Sequence, residues 1–388
     1  EIQPTMARRC LLLSLLSLLS LLSLHAASAM VVGMRAQATH SLVMQHARYG
    51  FALHSLRMDE AAATQPGATS EEETTESPSK AVATESLPPA SFQLLVEQAA
   101  AATDAAMKDG TKLMEVEFPP VPLSKLEDSS ISAYDLLRSN LLLAVEFCKK
   151  LVLSVPGEGD VAIVLPDIAE RERATELLGD KEPWPKMRLW ALSGGDEEPT
   201  PFGFFGSLIK GSTMVEPAPW AKVYVVLSVS CSELPSLRSL AEAAPEVPIV
   251  CFNLKLDTLR GDLGLPTFPG KDMHHSFLSR VKPVYYMRPR AYSLSLSRPP
   301  FLISYAGVLF RCYPEGFQTL LDRGRGSYRR VNVNAQRPAL GEFKAELTKA
   351  LKLQDDIGES AISQTGFKQS TWWEDNADCL DKSNDWRE

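Results

Sequence analysis

Five residues have the type and position to meet a ligand. Asp167 in "VLPD" and Asn253 in "CFNL" close apolar runs that read as strands, and Arg288, Arg311 and Arg337 lie in a basic final third. In open parallel sheets, ligands bind beyond the carboxyl ends of the strands. Guanidinium groups recognise phosphate and carboxylate there through paired hydrogen bonds. The chemistry suggested is anion binding, with a phosphate-bearing metabolite near Asp167, Asn253 and Arg311. Each residue also has a structural explanation. Asp167 can cap a helix, Asn253 can make a turn, and the arginines can pair with an acidic part of the chain.

Other chemistries lack their groups. His274 and His275 are the only histidines beyond the N-terminal region, and they are adjacent. No Cys or carboxylate stands near them at ligand spacing, so they read as loop histidines and no metal is expected. The glycines of "VPGEGD" and "LSGGDEEP" form neither a phosphate loop nor a dinucleotide fingerprint. There is no G-x-S-x-G elbow, and a nucleophilic Cys would lack a nearby base. No catalytic residue and no cofactor is therefore assigned.

The elements that must position these residues are legible. Ser91 caps a helix whose apolar face is Phe92, Leu95, Val96, Ala99 and Ala102, and Gly110 stands where a left-handed terminator is wanted. In "KLMEVEFPP", Met114, Val116 and Phe118 face one way, Glu115 and Glu117 the other. A second, more apolar helix follows in "SAYDLLRSNLLLAVEFCKKLVL". Then strands and helices alternate: "DVAIVLPD", "AERERATELLG", "MRLWAL", "KVYVVLSVS", "ELPSLRSLAEAA" and "VPIVCFNL". Continuous apolar strands between helices predict a mostly parallel, Rossmann-like α/β sheet with helices on both faces. "PVYYMRP", "FLISYAGVLFRCYP" and "SYRRVNVNAQ" predict an antiparallel C-terminal extension. Leu340, Phe343, Leu347 and Leu351 mark a closing amphipathic helix.

The expected organisation is a signal peptide over 1–29, of which 1–5 read as upstream translation, then a transit-peptide-like stretch over 30–58. An acidic linker over 59–86, a single α/β domain over 87–353 and an acidic flexible tail over 354–388 follow. The leucine–serine run 11–24 follows Arg8 and Arg9 and ends in "HAASA", the layout of a cleaved signal, with an uncleaved anchor as the alternative. Residues 30–58 hold Arg35, Arg48 and Arg57 but no acid, which is transit-peptide composition. Together they suggest the two-part address of algae with secondary plastids; a basic N-terminus on a secreted protein is the alternative. The mature chain then has no membrane span. The linker is too poor in apolar residues to offset its ordering entropy. Cys10 leaves with the signal; the five cysteines that remain, an odd and scattered set without C-x-x-C, are no disulfide framework, and Cys148 and Cys251 read as core residues.

Charge divides the body. Residues 90–253 carry 14 Lys/Arg against 24 Asp/Glu, a balance of −10, and residues 254–353 carry 17 against 7, a balance of +10. Either the halves neutralise each other, or the last third offers a basic surface to an anionic lipid or an acidic partner. No aromatic-interleaved basic motif for nucleic acid appears. Trp372, Trp373 and Trp386 in the tail are a docking motif, part of a merely disordered segment, or residues that pack back on the body.

The stretch "LPPASFQLLVEQAAAATDAAMKDGTKLMEVEFP", with Gln98, Ala99 and Gly110, resembles the opening of a plastid and cyanobacterial domain-of-unknown-function family. "VLPD" and "VPIVCFNLKL" are similar to its middle. "YAGVLFRCYPEGFQTLL" and "YRRVNVNAQRPALGEF" resemble its close, with Gly307, Phe310, Arg311, Tyr313, Pro314, Arg337 and Pro338 in place. The resemblance covers about 87–351. The family includes low-photosystem-II-accumulation chloroplast proteins and a domain fused to a plastid adenylate kinase, whose phosphate loop is absent here. The resemblance implies a non-enzymatic plastid factor, in the stroma or peripheral on the thylakoid, with a photosystem II subunit or assembly factor as partner. It carries no catalytic residues over. A binder or enzyme acting on a phosphate-bearing metabolite at the strand ends is the alternative.

Overall fold

The computed structural model describes residues 86–122, 125, 131–152, 160–179, 185–193, 215–262, 270–295, 299–353, 371–375 and 380–388. The signal, the transit-like stretch and nearly all of the linker lie outside the described residues, as do "VPGEGD" before Asp160 and most of "LSGGDEEP". Apart from Lys125, the described residues belong to one structural unit.

Nine strands form one sheet in the order β3-β2-β4-β5-β1-β6-β7-β8-β9. Strands β1 (Leu113–Glu117), β2 (Asp160–Leu165), β3 (Met187–Ala191), β4 (Ala221–Val226), β5 (Ile249–Phe252) and the start of β6 (Lys282–Ser295) are mutually parallel. Strands β7 (Leu302–Cys312), β8 (Phe317–Asp322) and β9 (Tyr328–Asn334) continue the sheet antiparallel. The predicted α/β class and antiparallel extension are both present. Strand β8 was not foreseen, and β6 runs past the expected stop at Pro289. Beyond Tyr286, β1 has ended, so β6 is a local sheet edge where a residue without an N–H is tolerated.

Helices α1 (Phe92–Lys108), α2 (Ala133–Leu151) and α3 (Ile168–Leu178) cover one face. Ser91 caps α1 by accepting from Leu94 N, and Ser132 and Asp135 form a reciprocal capping box on α2. Under them Phe118, Phe147, Phe252, Tyr285 and Phe310 interlock edge-on or tilted, with centroids 5.2 to 6.2 Å apart. Helices α4 (Leu234–Ala243), α5 (Leu256–Asp262) and α6 (Asp272–Ser276) cover the other face. Helix α7 (Leu340–Ala350) closes the antiparallel part through Phe343 and Leu347. Gly307 on β7 is required there, because a Cβ would lie 2.7 Å from both Leu320 O and Leu347 Cδ1. Cys148 and Cys251 are fully buried free thiols, raised by burial above the usual range.

Part of the expected flexible tail is built into the body. Helix α8 (Trp372–Asp375) and residues 380–388 lie against α5 and α6, with Trp373 and Trp386 buried. Three tryptophans bring more apolar area than an acidic segment can leave in water, and that area decides the placement.

Candidate functional site

Strands β5 and β1 are parallel neighbours whose connections leave to opposite faces, α5 on one and α2 on the other. Such a switch point opens the crevice where sheet proteins bind ligands. Here Asn253 fills it. Its backbone takes the left-handed φ of 52°, a region Asn tolerates. Its Oδ1 accepts from Phe118 N at 2.8 Å, and its Nδ2 donates to Asn140 Oδ1 at 2.7 Å. Asp167 caps α3, accepting from Glu170 N at 2.8 Å. At the carboxyl ends of β2 and β4, a crevice lined by Leu137, Asn140, Leu165, Glu170, Leu227 and Ser228 has about 10 Å³ of room, about one water molecule. Asp167 and Asn253 are therefore built into the scaffold.

The arginines fall into two groups. Arg288 on β6 and Arg337 before α7 converge with Arg260 and Arg290 on one carboxylate, Asp257 at the start of α5. Arg288 Nη1 donates to Oδ2 at 2.6 Å, Arg337 Nη2 reaches both oxygens at 2.7 Å, and Arg260 Nη1 reaches Oδ1 at 3.1 Å. Tyr286 OH donates to Oδ2 at 2.8 Å, and Arg290 Nη2 lies 3.6 Å away. The anion expected for Arg288 and Arg337 is thus Asp257, from the same basic third. Arg311 is separate. It sits on β7 beside Tyr286, 4.7 Å over the Phe317 ring, with Nε and Nη1 making no hydrogen bond among the described residues. Burial pushes its guanidinium down to about 10.

Glu115 and Glu117 project from β1 toward this knot, and both are buried rather than facing water. Burial raises Glu115, against the attraction of Arg260. Burial, then the charge of Glu115, raises Glu117 to about 7, and its Oε2 accepts from Lys255 N at 3.0 Å. Burial alone would raise Asp257; Arg337, Arg288 and Arg260 outweigh it and hold its carboxyl well below the usual range. Four arginines against Asp257 and the two glutamates leave the knot with excess positive charge.

The tail roofs that charge with aromatic faces. Arg260 lies 5.2 Å from the Trp373 ring and 5.6 Å from Trp386, and Arg337 lies 5.5 Å from Trp373. Backbone bonds fasten the roof: Arg337 N to Arg387 O, Trp386 N to Ser279 O and Lys382 N to His275 O. Trp372 Nε1 donates to Arg260 O at 3.1 Å. His274 and His275 lie on α6, not in a loop. His275 Nδ1 is 2.7 Å from Asp381 Oδ1, a tail residue too distant in sequence for any spacing rule. Burial, then the charge of Arg260, pushes His274 down to about 2.

A second basic feature stays open to solvent. Arg323, Arg325, Arg329 and Arg330 at the β8–β9 turn are exposed, and Arg329 donates to Ala350 O at 2.9 Å. That bond brings the turn to the carboxyl end of α7, where Lys349 and Lys352 are also exposed.

Residues 89–345 match the DUF1995 family, described as a domain of unknown function. The chain belongs to the DUF1995 family. The matched span of the DUF1995 domain holds every strand, Asp257 and its four arginines, and the exposed basic turn, and stops before the tryptophan roof. Among curated proteins and solved structures, none matches the chain.

Proposed function

We propose that this DUF1995 protein is a plastid auxiliary factor, non-enzymatic, in the assembly or maintenance of photosystem II. It docks through its basic edge on an acidic partner or on the thylakoid surface. The exposed cluster of Arg323, Arg325, Arg329, Arg330, Lys349 and Lys352 carries this reading. These six side chains face solvent, whereas Arg288 and Arg337 turn inward to Asp257, and such a surface attracts anionic groups over roughly 10 Å at 0.1 M salt. The bipartite address read from the first 58 residues supports a plastid destination. No described helix is long and apolar enough to cross a membrane, in keeping with peripheral attachment. The alternative, a phosphate-bearing metabolite at the strand ends, meets a crevice with room for about one water.

The test is a tagged copy expressed in a plastid-bearing alga, beside a variant with Arg323, Arg325, Arg329 and Arg330 changed to Glu. The expected result is enrichment of photosystem II core or assembly proteins with the wild type, salt-sensitive retention on thylakoids, and loss of both in the variant. Absence from purified plastids overturns the reading. A plastid protein that purifies alone in both versions returns attention to a metabolite.

A further inference from the structure

Three donor atoms from distant parts of the chain meet beside the arginine knot. His274 Nε2 and His275 Nδ1 come from α6, and Asp381 Oδ1 from the tail; all lie within 4.8 Å of one another. Asp381 Oδ1 is 2.7 Å from His275 Nδ1 and 3.3 Å from His274 Nε2. The His274 ring is fully buried, yet neither of its nitrogens makes a hydrogen bond among the described residues. A buried polar ring without a partner costs free energy, and some group normally satisfies it.

We propose that His274, His275 and Asp381 form a site for one divalent transition-metal ion, best suited to zinc, that clamps the C-terminal segment onto α6. Two imidazoles and a carboxylate are a zinc donor set, leaving a fourth position for water. Zinc–ligand distances of about 2.1 Å place tetrahedral donors roughly 3.4 Å apart, near the 3.3 Å between His274 and Asp381, while His275 and Asp381, now hydrogen-bonded at 2.7 Å, must part by about 0.7 Å to share the ion. The other Asp381 oxygen accepts from Trp386 Nε1 at 2.9 Å, an outer bond that aims the carboxylate. Trp372, Trp373 and Trp386 wall the His274 ring at centroid distances of 5.5 to 6.2 Å. His275 is 13% exposed and gives the ion a way in. The positive charges of Arg260, which shares Asp257 with three other arginines, and of Arg387 oppose a cation, and the Asp381 carboxylate is the anion that the site itself sets against them.

The experiment uses the full chain, stripped with a chelator and titrated with zinc chloride, with cobalt(II) as the optical probe. Expected are about one zinc per chain and a cobalt spectrum of tetrahedral intensity. Asp381→Asn and His275→Gln should each weaken zinc at least tenfold. Trp386→Phe, which removes only the outer hydrogen bond and keeps a ring in the roof, should weaken it about tenfold. In the wild type, zinc should slow proteolysis of the segment after residue 370, a readout that needs no variant. Absence of stoichiometric zinc, uptake unchanged in folded Asp381→Asn and His275→Gln, or proteolysis indifferent to zinc would each overturn the site.

Discussion

Replacing Glu117 by Gln removes a titration that the fold forces on a buried carboxyl. Unfolded, Glu117 gives up its proton near the ordinary 4.5; folded, it does so near 7. Between those values the native state holds a proton that the unfolded chain has lost, so stability falls as pH rises. At about 1.4 kcal/mol per pH unit, the span amounts to about 3 kcal/mol, fully felt above pH 7. Gln keeps an oxygen for Lys255 N, and its neutral side chain has nothing to titrate. The stability of Glu117→Gln minus that of the wild type should therefore rise by about 3 kcal/mol from pH 4.5 to pH 8. Groups that do not interact with Glu117, His274 among them, cancel in that difference; Glu115 beside it does not, and its response to losing a neighbouring charge is part of what is read. Urea unfolding at four pH values measures it, with the slope of free energy on urea checked for constancy. A difference that stays level across the range refutes the burial argument for Glu117.

Asp257→Asn leaves Arg260, Arg288 and Arg337 facing one another without their shared anion. A loss of about 3–5 kcal/mol is expected, read as a lower urea midpoint. Gly307→Ala drives a methyl against Leu320 O and Leu347, and should cost about 1–3 kcal/mol in thermal unfolding. Gly261→Ala in α5 meets nothing within 4 Å and should instead leave stability level or raise it by up to about 1 kcal/mol. Asn253→Ala strips the bonds to Phe118 and Asn140 and leaves Ala in a left-handed conformation; a loss of about 2–3 kcal/mol is expected by urea unfolding.

The parallel half of the sheet was legible because β2, β4 and β5 are nearly continuous apolar runs and the helices on one face carry their own caps, Ser91, Ser132 and Asp167. Strand β8 escaped notice because "FQTLLD" is six residues between two turns, too short for a period to stand out. Alternation along β1 fixed which way Glu115 and Glu117 point but not that they are buried. That depends on α5 and β6, which arrive far along the chain. The same holds for the arginines. Asp257 meets Arg337 across 80 residues, and His275 meets Asp381 across 106. Spacing rules reach one helical turn, so such pairs leave no local mark. "D-T-L-R" over 257–260 was the one available signal, an acid and a base three apart on a helix.

The central position of β1 has a bearing on synthesis. It is the first strand to be made, yet its neighbours in the sheet are β5 and β6, and the bond from Phe118 to Asn253 spans 135 residues. A nascent chain therefore holds Glu115 and Glu117 in water, ionised, while everything that will bury and surround them is still untranslated. Closing the sheet around β1 must bring these acids beside cations that emerge later, and non-local pairings of this kind are slow. A truncated or stalled chain ending before β6 would keep both β1 glutamates charged and one edge of the strand bare. That places the commitment to the native sheet near the end of translation rather than at its start.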